Sequence, residues 1–173
     1  MVKFNRELVE GIGISPKLPE NPMYFTQVTI PEILKIPNQK PDMEQLLAVI
    51  VQPKIVSVRV VDTPCALSYE GQHLSGYKLV IEMNLWEKIK YVADEPTQSV
   101  HAAEYEQVLK SVFVVVPCEV GGKKLKDLLR TNRIVVTPYV EDIYGQMRDK
   151  RTVFKNIALL IDVTFRETTC KVI

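Results

Sequence analysis

Residues 36–47 read Ile-Pro-Asn-Gln-Lys-Pro-Asp-Met-Glu-Gln-Leu-Leu and lead into long stretches in which apolar and polar residues alternate. The run predicts an extended segment and then a short helix that begins at Pro41, because a proline at the first helical position gives up no intrahelical hydrogen bond. Asp42 and Glu44 would place negative charge at the positive end of the helix dipole. The helix is expected to be brief, since the pattern becomes extended again before Pro53.

Five residues of this segment are expected to have structural roles and to bind no ligand. The proline sets the backbone angle of the first turn, the aspartate complements that turn, and two leucines pack the helix onto a sheet. The residues are Lys40, Pro41, Asp42, Leu46 and Leu47.

The clearest strand pattern spans residues 77–91. Apolar side chains occupy every second position, with Glu87 interrupting the apolar side and Val80 and Trp86 the polar side. A helix with this sequence would spread its apolar residues around the whole circumference, so the period of two predicts a half-buried strand. The same period appears in residues 24–30 and 56–60 and in a predicted hairpin with arms at 134–144 and 153–165.

These patterns predict a mainly β protein, with sandwich-like antiparallel sheets of long strands, one or two short helices and an extended N-terminal arm. A second short helix is expected at residues 123–129, after the Gly121-Gly122 turn. The apolar run at residues 112–116 favours a strand that is covered on both faces. The long strands exceed the usual length of about 5 to 6 residues, which indicates a bent sheet or one that extends beyond a compact sandwich.

The chain divides into a predicted arm at residues 1–22, a β domain at 23–166 and a tail at 167–173. Glycine and proline punctuate the arm and allow neither a helix nor a central strand. They are Gly11, Gly13, Pro16, Pro19 and Pro22.

The apolar residues of the arm are too few to bury one another, whereas long strands offer open sheet edges that an added strand can cover. We therefore expect the arm to contact another molecule. Trp86 is a second candidate, as an interface anchor or alternatively as a residue of the core. The expected contact residues are Phe4, Leu8, Val9, Ile12 and Trp86.

The charge of the chain argues against several classes of partner. Its 22 basic and 21 acidic residues leave a net charge of +1, which creates no field that would attract nucleic acid or an anionic membrane. No apolar run approaches the roughly 20 residues that cross a bilayer, and the first residues do not resemble a signal peptide. We expect a protein that is made in the cytoplasm and does not insert into a membrane.

Residues that would support catalysis are scarce. The two histidines, His73 and His101, lie in strand patterns, where a hydrogen-bonded structural role is the more frequent one. No catalytic, cofactor-binding or metal-ligating residue is predicted, and the chain is expected not to be an enzyme. Paired carboxylates, typical of solvated strand faces, are Glu104 with Glu106 and Glu141 with Asp142.

The three cysteines are an odd number and lack the spacing of a zinc site. Cys65 and Cys118 are expected to be small apolar fillers that remain reduced. Cys170 lies in the polar tail, where a thiol is accessible, and is expected to form an intermolecular disulfide.

Three stretches together carry a family resemblance. They are residues 36–47 with the Lys-Pro-Asp run, residues 88–94 (Lys-Ile-Lys-Tyr-Val-Ala-Asp) and residues 98–105 (Gln-Ser-Val-His-Ala-Ala-Glu-Tyr). Over residues 24–166 the chain resembles the SPOCS domain, which occurs in spore coat and coat-morphogenetic proteins of endospore-forming bacteria. The resemblance implies a role in assembly of the spore envelope. Well-known members carry several copies of the domain or a LysM carbohydrate-binding module, and because this sequence has neither, recruitment to peptidoglycan is not implied.

The leading expectation is a structural protein of the spore surface, in the coat or in an appendage or filament, that forms a homo-oligomer or polymer through sheet edges and the arm. It would be made in the mother-cell cytoplasm and deposited on the spore surface. The alternative is a non-polymerising adaptor in coat morphogenesis that binds another coat protein through a sheet edge or Trp86. An enzyme of envelope maturation is the third reading, which the lack of catalytic motifs disfavours. Neither a cofactor nor nucleic acid is expected to bind.

Overall fold

The computed structural model describes residues 9–71 and 73–166 of the chain. The prediction of a mainly β protein with long antiparallel strands and a short helix is confirmed. The elements, in chain order, are β1 (Glu10–Ile12), β2 (Tyr24–Lys35), β3 (Met43–Leu67), β4 (His73–Ala93), β5 (Val100–Val115), β6 (Glu119–Val120), β7 (Lys123–Lys124), α1 (Leu125–Arg130), β8 (Ile134–Asp149) and β9 (Thr152–Phe165).

The strands form two large sheets that enclose one core. The larger sheet has the order β1-β3-β4-β5, in which β3, β4 and β5 are antiparallel and β1 runs parallel to β3. The smaller sheet is antiparallel, with the order β2-β9-β8. Buried side chains of both sheets belong to a single apolar cluster, which is the arrangement of a β-sandwich.

The inner faces of the sandwich follow the period of two seen in the sequence. Every second side chain is buried from Leu79 to Ala93 in β4 and from Val153 to Val163 in β9. These strands lie in the interior of their sheets, each between two neighbouring strands. Their apolar side chains leave water on folding, which supplies much of the stabilising free energy.

The helix predicted to begin at Pro41 does not form, and from Met43 onward this segment is strand β3. The prediction was wrong because two β-bulges change the spacing of the inward-facing residues. One extra residue of β3 enters after Met43 and another after Leu46, so that Met43, Leu46 and Val49 all face the core. A spacing of three also marks one face of a helix, and the sequence pattern alone does not separate the two.

The second predicted helix is confirmed as α1, which buries Leu125 and Leu128. On its exposed side, Lys126 Nζ lies 2.7 Å from Asp62 Oδ2 of β3. The helix ends where the N–H of Thr131 donates to the carbonyl of Asp127 at 3.0 Å. The helix therefore joins β7 to β8 while it remains attached to the larger sheet.

The apolar run at residues 112–116 is covered on one face only, contrary to the prediction. Val114 and Val116 are buried, whereas Phe113 and Val115 are exposed. The reason is position, because β5 is the last strand of the larger sheet and only its inner face packs on the core.

Part of the predicted arm belongs to the larger sheet, since Glu10–Ile12 pairs in parallel with residues 48–50 of β3. Gly13 follows with a φ of +111°, and a Cβ atom there would lie 2.2 Å from the carbonyl oxygen of Val51, so the position requires glycine. The N–H of Ser15 then donates to the carbonyl of Val140 in β8 at 2.9 Å. These contacts connect the arm to both large sheets.

Candidate functional site

The side chain of Arg151, in the turn between β8 and β9, organises the connection from β2 to β3. Its guanidinium donates to the carbonyl oxygens of Ile36, Pro37 and Lys40 at 3.2, 2.8 and 3.2 Å. It also pairs with Asp42, with 2.6 Å between Nη1 and Oδ1. The planar fork of donors on arginine suits several oxygens at once. Because this connection crosses from the smaller sheet to the larger one, Arg151 holds the two sheets together at this end.

Two further hydrogen bonds fix the same connection. The hydroxyl of Tyr91 in β4 donates to the carbonyl of Pro41 at 3.1 Å. The N–H of Met43 donates to the carbonyl of Lys150 at 2.8 Å. The residues around the Lys-Pro-Asp run are therefore bonded to β4 and to the β8–β9 turn.

The five residues with expected structural roles all lie at this connection or at the start of β3. Leu46 is buried on the inner face of β3, and Leu47 is the half-buried extra residue of a bulge. Asp42 pairs with Arg151 and complements no helical turn, which corrects the reason given for it from the sequence.

The residues expected to make an intermolecular contact occupy different environments. Phe4 and Leu8 lie outside the described residues. Val9 is half-buried against the core, and Ile12 lies in β1. A Cβ atom on Gly145 of β8 would lie 3.2 Å from Val9 Cγ1. Val9 can pack closely against β8 because residue 145 has no side chain. Val9 therefore packs within its own molecule, which the sequence pattern did not indicate.

Trp86 lies half-buried on the outer face of the larger sheet. Its neighbours across the strands are Gln52 of β3 and Glu106 of β5. The Nζ atom of Lys88 lies 5.7 Å from the indole centroid, within the range of a cation–π interaction. The sequence left open whether Trp86 is an interface anchor or a residue of the core, and the structure places it outside the core.

One edge of the larger sheet, which we call the β5 edge (Val100–Val115), combines a strand that is paired on one side only with exposed apolar side chains near its two ends. Near the middle of the strand, the hydroxyl of Tyr105 donates to the carbonyl of Lys35 in β2 at 3.1 Å. Among the strands that the structure describes, β5 is paired with β4 alone. Val100, Phe113 and Val115 are 64%, 53% and 41% exposed. Proteins usually protect such edges with charge, proline or short strands. Glu104 and Glu106 place charge on the middle of β5, whereas the exposed apolar residues near its ends are typical of an interaction surface.

Cys65 and Cys118 are exposed free thiols, so the prediction that they fill the core was wrong. Cys65 lies near the end of β3, just beyond a bulge, and Cys118 follows the end of β5. Near strand ends the alternation of a strand no longer determines burial. Cys170 lies outside the described residues.

The interior of the sandwich contains a group of charged side chains that we call the interior cluster: Glu32, Glu87, Lys110 and Lys155. Lys155 of β9 and Glu87 of β4 are fully buried, and Nζ and Oε1 are in direct contact between the two sheets. Glu32 of β2 stands opposite Lys155 in the smaller sheet, with Oε2 2.7 Å from Nζ. Lys110 of β5 approaches the same carboxylate, with Nζ 2.5 Å from Oε1. Two ammonium groups and two carboxylates thus neutralise one another. Lys155 and Glu87 are shielded from water, whereas the side chains of Lys110 and Glu32 are 34% and 14% exposed.

The interior cluster keeps one of its carboxylates charged. Burial by itself would raise the pKa of the Glu32 carboxyl, but hydrogen bonds from Lys110 and Lys155 hold that pKa below its ordinary value. Tyr105 of β5 stands opposite Glu87 in the ladder, and burial raises the pKa of its phenol to about 12. Interior charges are tolerated only when they are paired in this way.

The sequence contains a signal for part of this cluster. Glu87 stood out as a charged residue on the apolar side of its strand, but no role was assigned to it. Lys155 occupies the equivalent inward position between Val153 and Ile157, and its significance was missed. Glu87 and Lys155 are each a charged residue at an apolar position of a strand, and this shared feature indicates that their side chains pair.

A second buried carboxyl, that of Asp162, lies on the outer face of the smaller sheet. Its neighbours across the strands are Phe25 of β2 and Thr137 of β8. Burial raises the pKa of this carboxyl, although a backbone hydrogen bond from Val163 opposes the shift. Within the described part of the chain, Oδ1 has no hydrogen-bond partner.

His101, a residue type that could support catalysis, contacts a serine just before its own strand and a tyrosine of its own sheet. His101 Nε2 lies 3.0 Å from Ser99 Oγ, and the ring stacks on Tyr91 of β4. Glu104 faces the other side of the sheet, where Lys88 Nζ lies 2.6 Å from its carboxylate. The structure therefore does not bring this histidine and this carboxylate together. The side chain of His73 is not described.

Residues 9–71 and 73–166 contain no group of three or more histidine, cysteine, aspartate or glutamate residues that could hold a metal ion. In the same part of the chain, no helix combines the length and the apolar character that crossing a membrane requires.

The three stretches that resemble the SPOCS domain lie next to one another in the structure. The N–H of Asp94 donates to the carbonyl of Asp42 at 2.8 Å, and the N–H of Ala93 donates to the carbonyl of Ser99 at 2.9 Å. They form one end of the sandwich, where β3, β4 and β5 meet. Comparison of the chain with protein-family models, with curated proteins and with solved structures finds no match. The resemblance therefore rests on these stretches of sequence.

Proposed function

We propose that the protein is a structural, self-assembling subunit of the bacterial spore surface, in the coat or in an appendage or filament, and that it polymerises through sheet edges and its N-terminal arm. The assignment to the spore rests on the resemblance to the SPOCS domain. The proposal of self-assembly rests on one observation, the β5 edge. Deposition on the spore surface follows from the same resemblance.

Strand addition explains why the β5 edge would join molecules. An edge strand presents unpaired N–H and C=O groups, and a strand of another molecule satisfies them while covering the neighbouring side chains. The exposed side chains of Val100, Phe113 and Val115 would lose contact with water in the process. The backbone ladder supplies affinity, and the contacts of the side chains select the register.

The opposite side of the larger sheet offers a second edge. β1 covers only residues 48–50 of the 25-residue strand β3. Over residues 51–67, no other described strand is paired with β3 on the side that faces away from β4. Pairing of β5 in one molecule with β3 in the next is a head-to-tail contact, and contacts of this type build open filaments unless their rotation closes a ring.

The proposal is tested with the purified full chain by light scattering over a concentration series and by negative-stain microscopy. Wild-type protein should form ordered polymers. Val115→Glu places a carboxylate opposite Lys78 of β4, which supports the folded monomer but puts charge on the edge and should abolish polymers. The matched control is Met23→Glu, the same exchange at an exposed apolar residue outside the strands, and it should still polymerise.

A chain that stays monomeric at every concentration would overturn self-assembly. It would favour the alternative, an adaptor in coat morphogenesis that uses the β5 edge or Trp86 to bind another coat protein. Equal polymerisation of wild type and Val115→Glu would instead keep self-assembly and remove the β5 edge from it.

A further inference from the structure

We propose that Lys155 and Glu87 become joined by an amide bond between their side chains, which links the two sheets of the sandwich covalently, and that Glu32 moves the proton that this reaction requires. The bond would form within one folded molecule. The inference concerns the interior cluster alone and holds whether or not the protein polymerises.

The geometry places the reacting groups together before any reaction. Lys155 projects from the smaller sheet and Glu87 from the larger one, and each is completely buried. Nζ already contacts Oε1. Oε1 is bonded to Cδ, the carboxyl carbon that Nζ would attack. Intramolecular reactions between well-oriented groups reach effective concentrations of about 10⁵ to 10⁸ M.

The atoms of the reaction balance without any outside reagent. One proton passes from the ammonium of Lys155 to Oε1 of Glu87, which leaves a neutral amine beside a carboxylic acid. The Nζ lone pair attacks Cδ, and the Nζ–Cδ bond forms. Glu32 accepts a second proton from Nζ and delivers it to the departing hydroxyl, so the Cδ–O bond breaks and one water leaves. The amide retains the third proton, and Glu32 returns to its starting state.

The two carboxylates differ in the way these roles require. Glu32 lies within 2.5 Å of the second ammonium group, that of Lys110, and is therefore kept in the charged form that accepts a proton. Glu87 has no exposure to water, so solvent does not compete with the amine of Lys155 for its carboxyl group.

An ion pair elsewhere in the molecule provides the internal comparison. Lys88 Nζ lies 2.6 Å from a carboxylate oxygen of Glu104, which is closer than the 2.7 Å contact of Lys155 with Glu32. Both partners are partly exposed, so water competes for both groups and we expect no amide bond between them. Exclusion of water, and not proximity alone, is what distinguishes Lys155.

The test is mass spectrometry of the full-length folded protein. The intact mass should be lower than the sequence mass by one water. Trypsin should fail to cleave after Lys155, so that residues 152–166 remain one peptide, and this peptide should be attached to residues 79–88, which contain Glu87. Cleavage after Lys88 should be normal. An intact mass equal to that of the sequence, with free 79–88 peptide, would overturn the proposal.

Two variants separate the roles within the cluster. Lys155→Met should have the full sequence mass, because it lacks the amine. Glu32→Gln keeps the size of the side chain but cannot accept the proton, and the bonded fraction should fall at least tenfold at matched times after folding. Glu104→Gln, the matched control on the surface, should carry the bond as wild type does.

Other outcomes reassign or reject the reaction. A crosslink to residues 18–35, which contain Glu32, would overturn the choice of Glu87 as the acyl partner. A full yield of bond in folded Glu32→Gln would overturn the role of Glu32. If these variants fail to fold, the peptide map of the wild-type protein still decides whether the bond exists.

Discussion

Arg151 and Asp42 are 109 positions apart in the sequence, yet Nη1 and Oδ1 are 2.6 Å apart in the folded protein. The same guanidinium binds three backbone carbonyl groups of the β2–β3 connection. The Lys-Pro-Asp run is thus held in place from the β8–β9 turn, and no helix dipole is involved.

This arrangement predicts unequal effects of mutating the two partners. Arg151→Met removes every donor of the group and should lower the free energy of unfolding by about 1.5 to 3 kcal/mol. Asp42→Asn should lower it by at most about 1 kcal/mol, because the side chains of the pair are 34% and 46% exposed and water screens their attraction. Urea unfolding followed by the fluorescence of Trp86 measures both. Equal losses would contradict the dominance of the carbonyl contacts.

Leu46→Ala should destabilise the protein by about 2 to 5 kcal/mol, the range for removing a buried leucine side chain from a packed core. Leu46 is on the inner face of β3 and almost completely buried. Leu47→Ala is the matched control, because Leu47 is the half-buried extra residue of a bulge and its truncation should cost less. Calorimetry on both variants gives the comparison. A larger loss for Leu47→Ala would mean that the register of β3 is shifted.

Asp162→Asn should stabilise the protein at neutral pH and lose this advantage in acid. Burial raises the pKa of the Asp162 carboxyl, so folding takes up a proton between the ordinary aspartate value of about 3.9 and the raised value. The stability of wild type therefore falls as pH rises through that window, and the asparagine variant avoids the fall. Denaturant unfolding at pH 7 and at a pH below about 3.5 is the measurement. A variant less stable than wild type at pH 7 would refute this account.

Removal of residues 1–8 should leave a folded protein that assembles less well than the full chain. The deletion keeps Val9 and β1, which are attached to β3 and β8. Deletion of residues 1–22 would in addition expose the β3 edge at residues 48–50 and should also lower the midpoint of thermal unfolding. Light scattering and a thermal scan distinguish the two effects. Unchanged assembly after removal of residues 1–8 would exclude Phe4 and Leu8 from the contact.

Cys170→Ser should remove disulfide-linked dimers from assembled material on non-reducing electrophoresis, if the tail thiol forms the expected intermolecular bond. Cys65 and Cys118 are also exposed, so Cys65→Ser and Cys118→Ser are the matched controls and should retain the dimers. Loss of dimers in one of these controls would assign the crosslink to that thiol instead.

The strands that the sequence predicts best are those in the interior of a sheet. In β4 and β9, the alternation of apolar and polar residues corresponds directly to burial, because side chains two residues apart share a face of the sheet. The short helix α1 was predicted for a similar reason, since its turn residues and its leucine spacing are adjacent in the chain. Such features depend only on near neighbours in sequence.

Tertiary structure decided the features that depend on which strands become neighbours. The bulges of β3 exist only relative to β4, and they made Met43, Leu46 and Val49 resemble a helix. The exposure of Phe113 depends on β5 being the last strand of its sheet. The sequence by itself determined that Glu87 would face an apolar interior, but its partner Lys155 lies 68 residues away on the opposite sheet. Only the packing of one sheet on the other brings these charges together, because the period of a strand specifies a face and not what that face will meet.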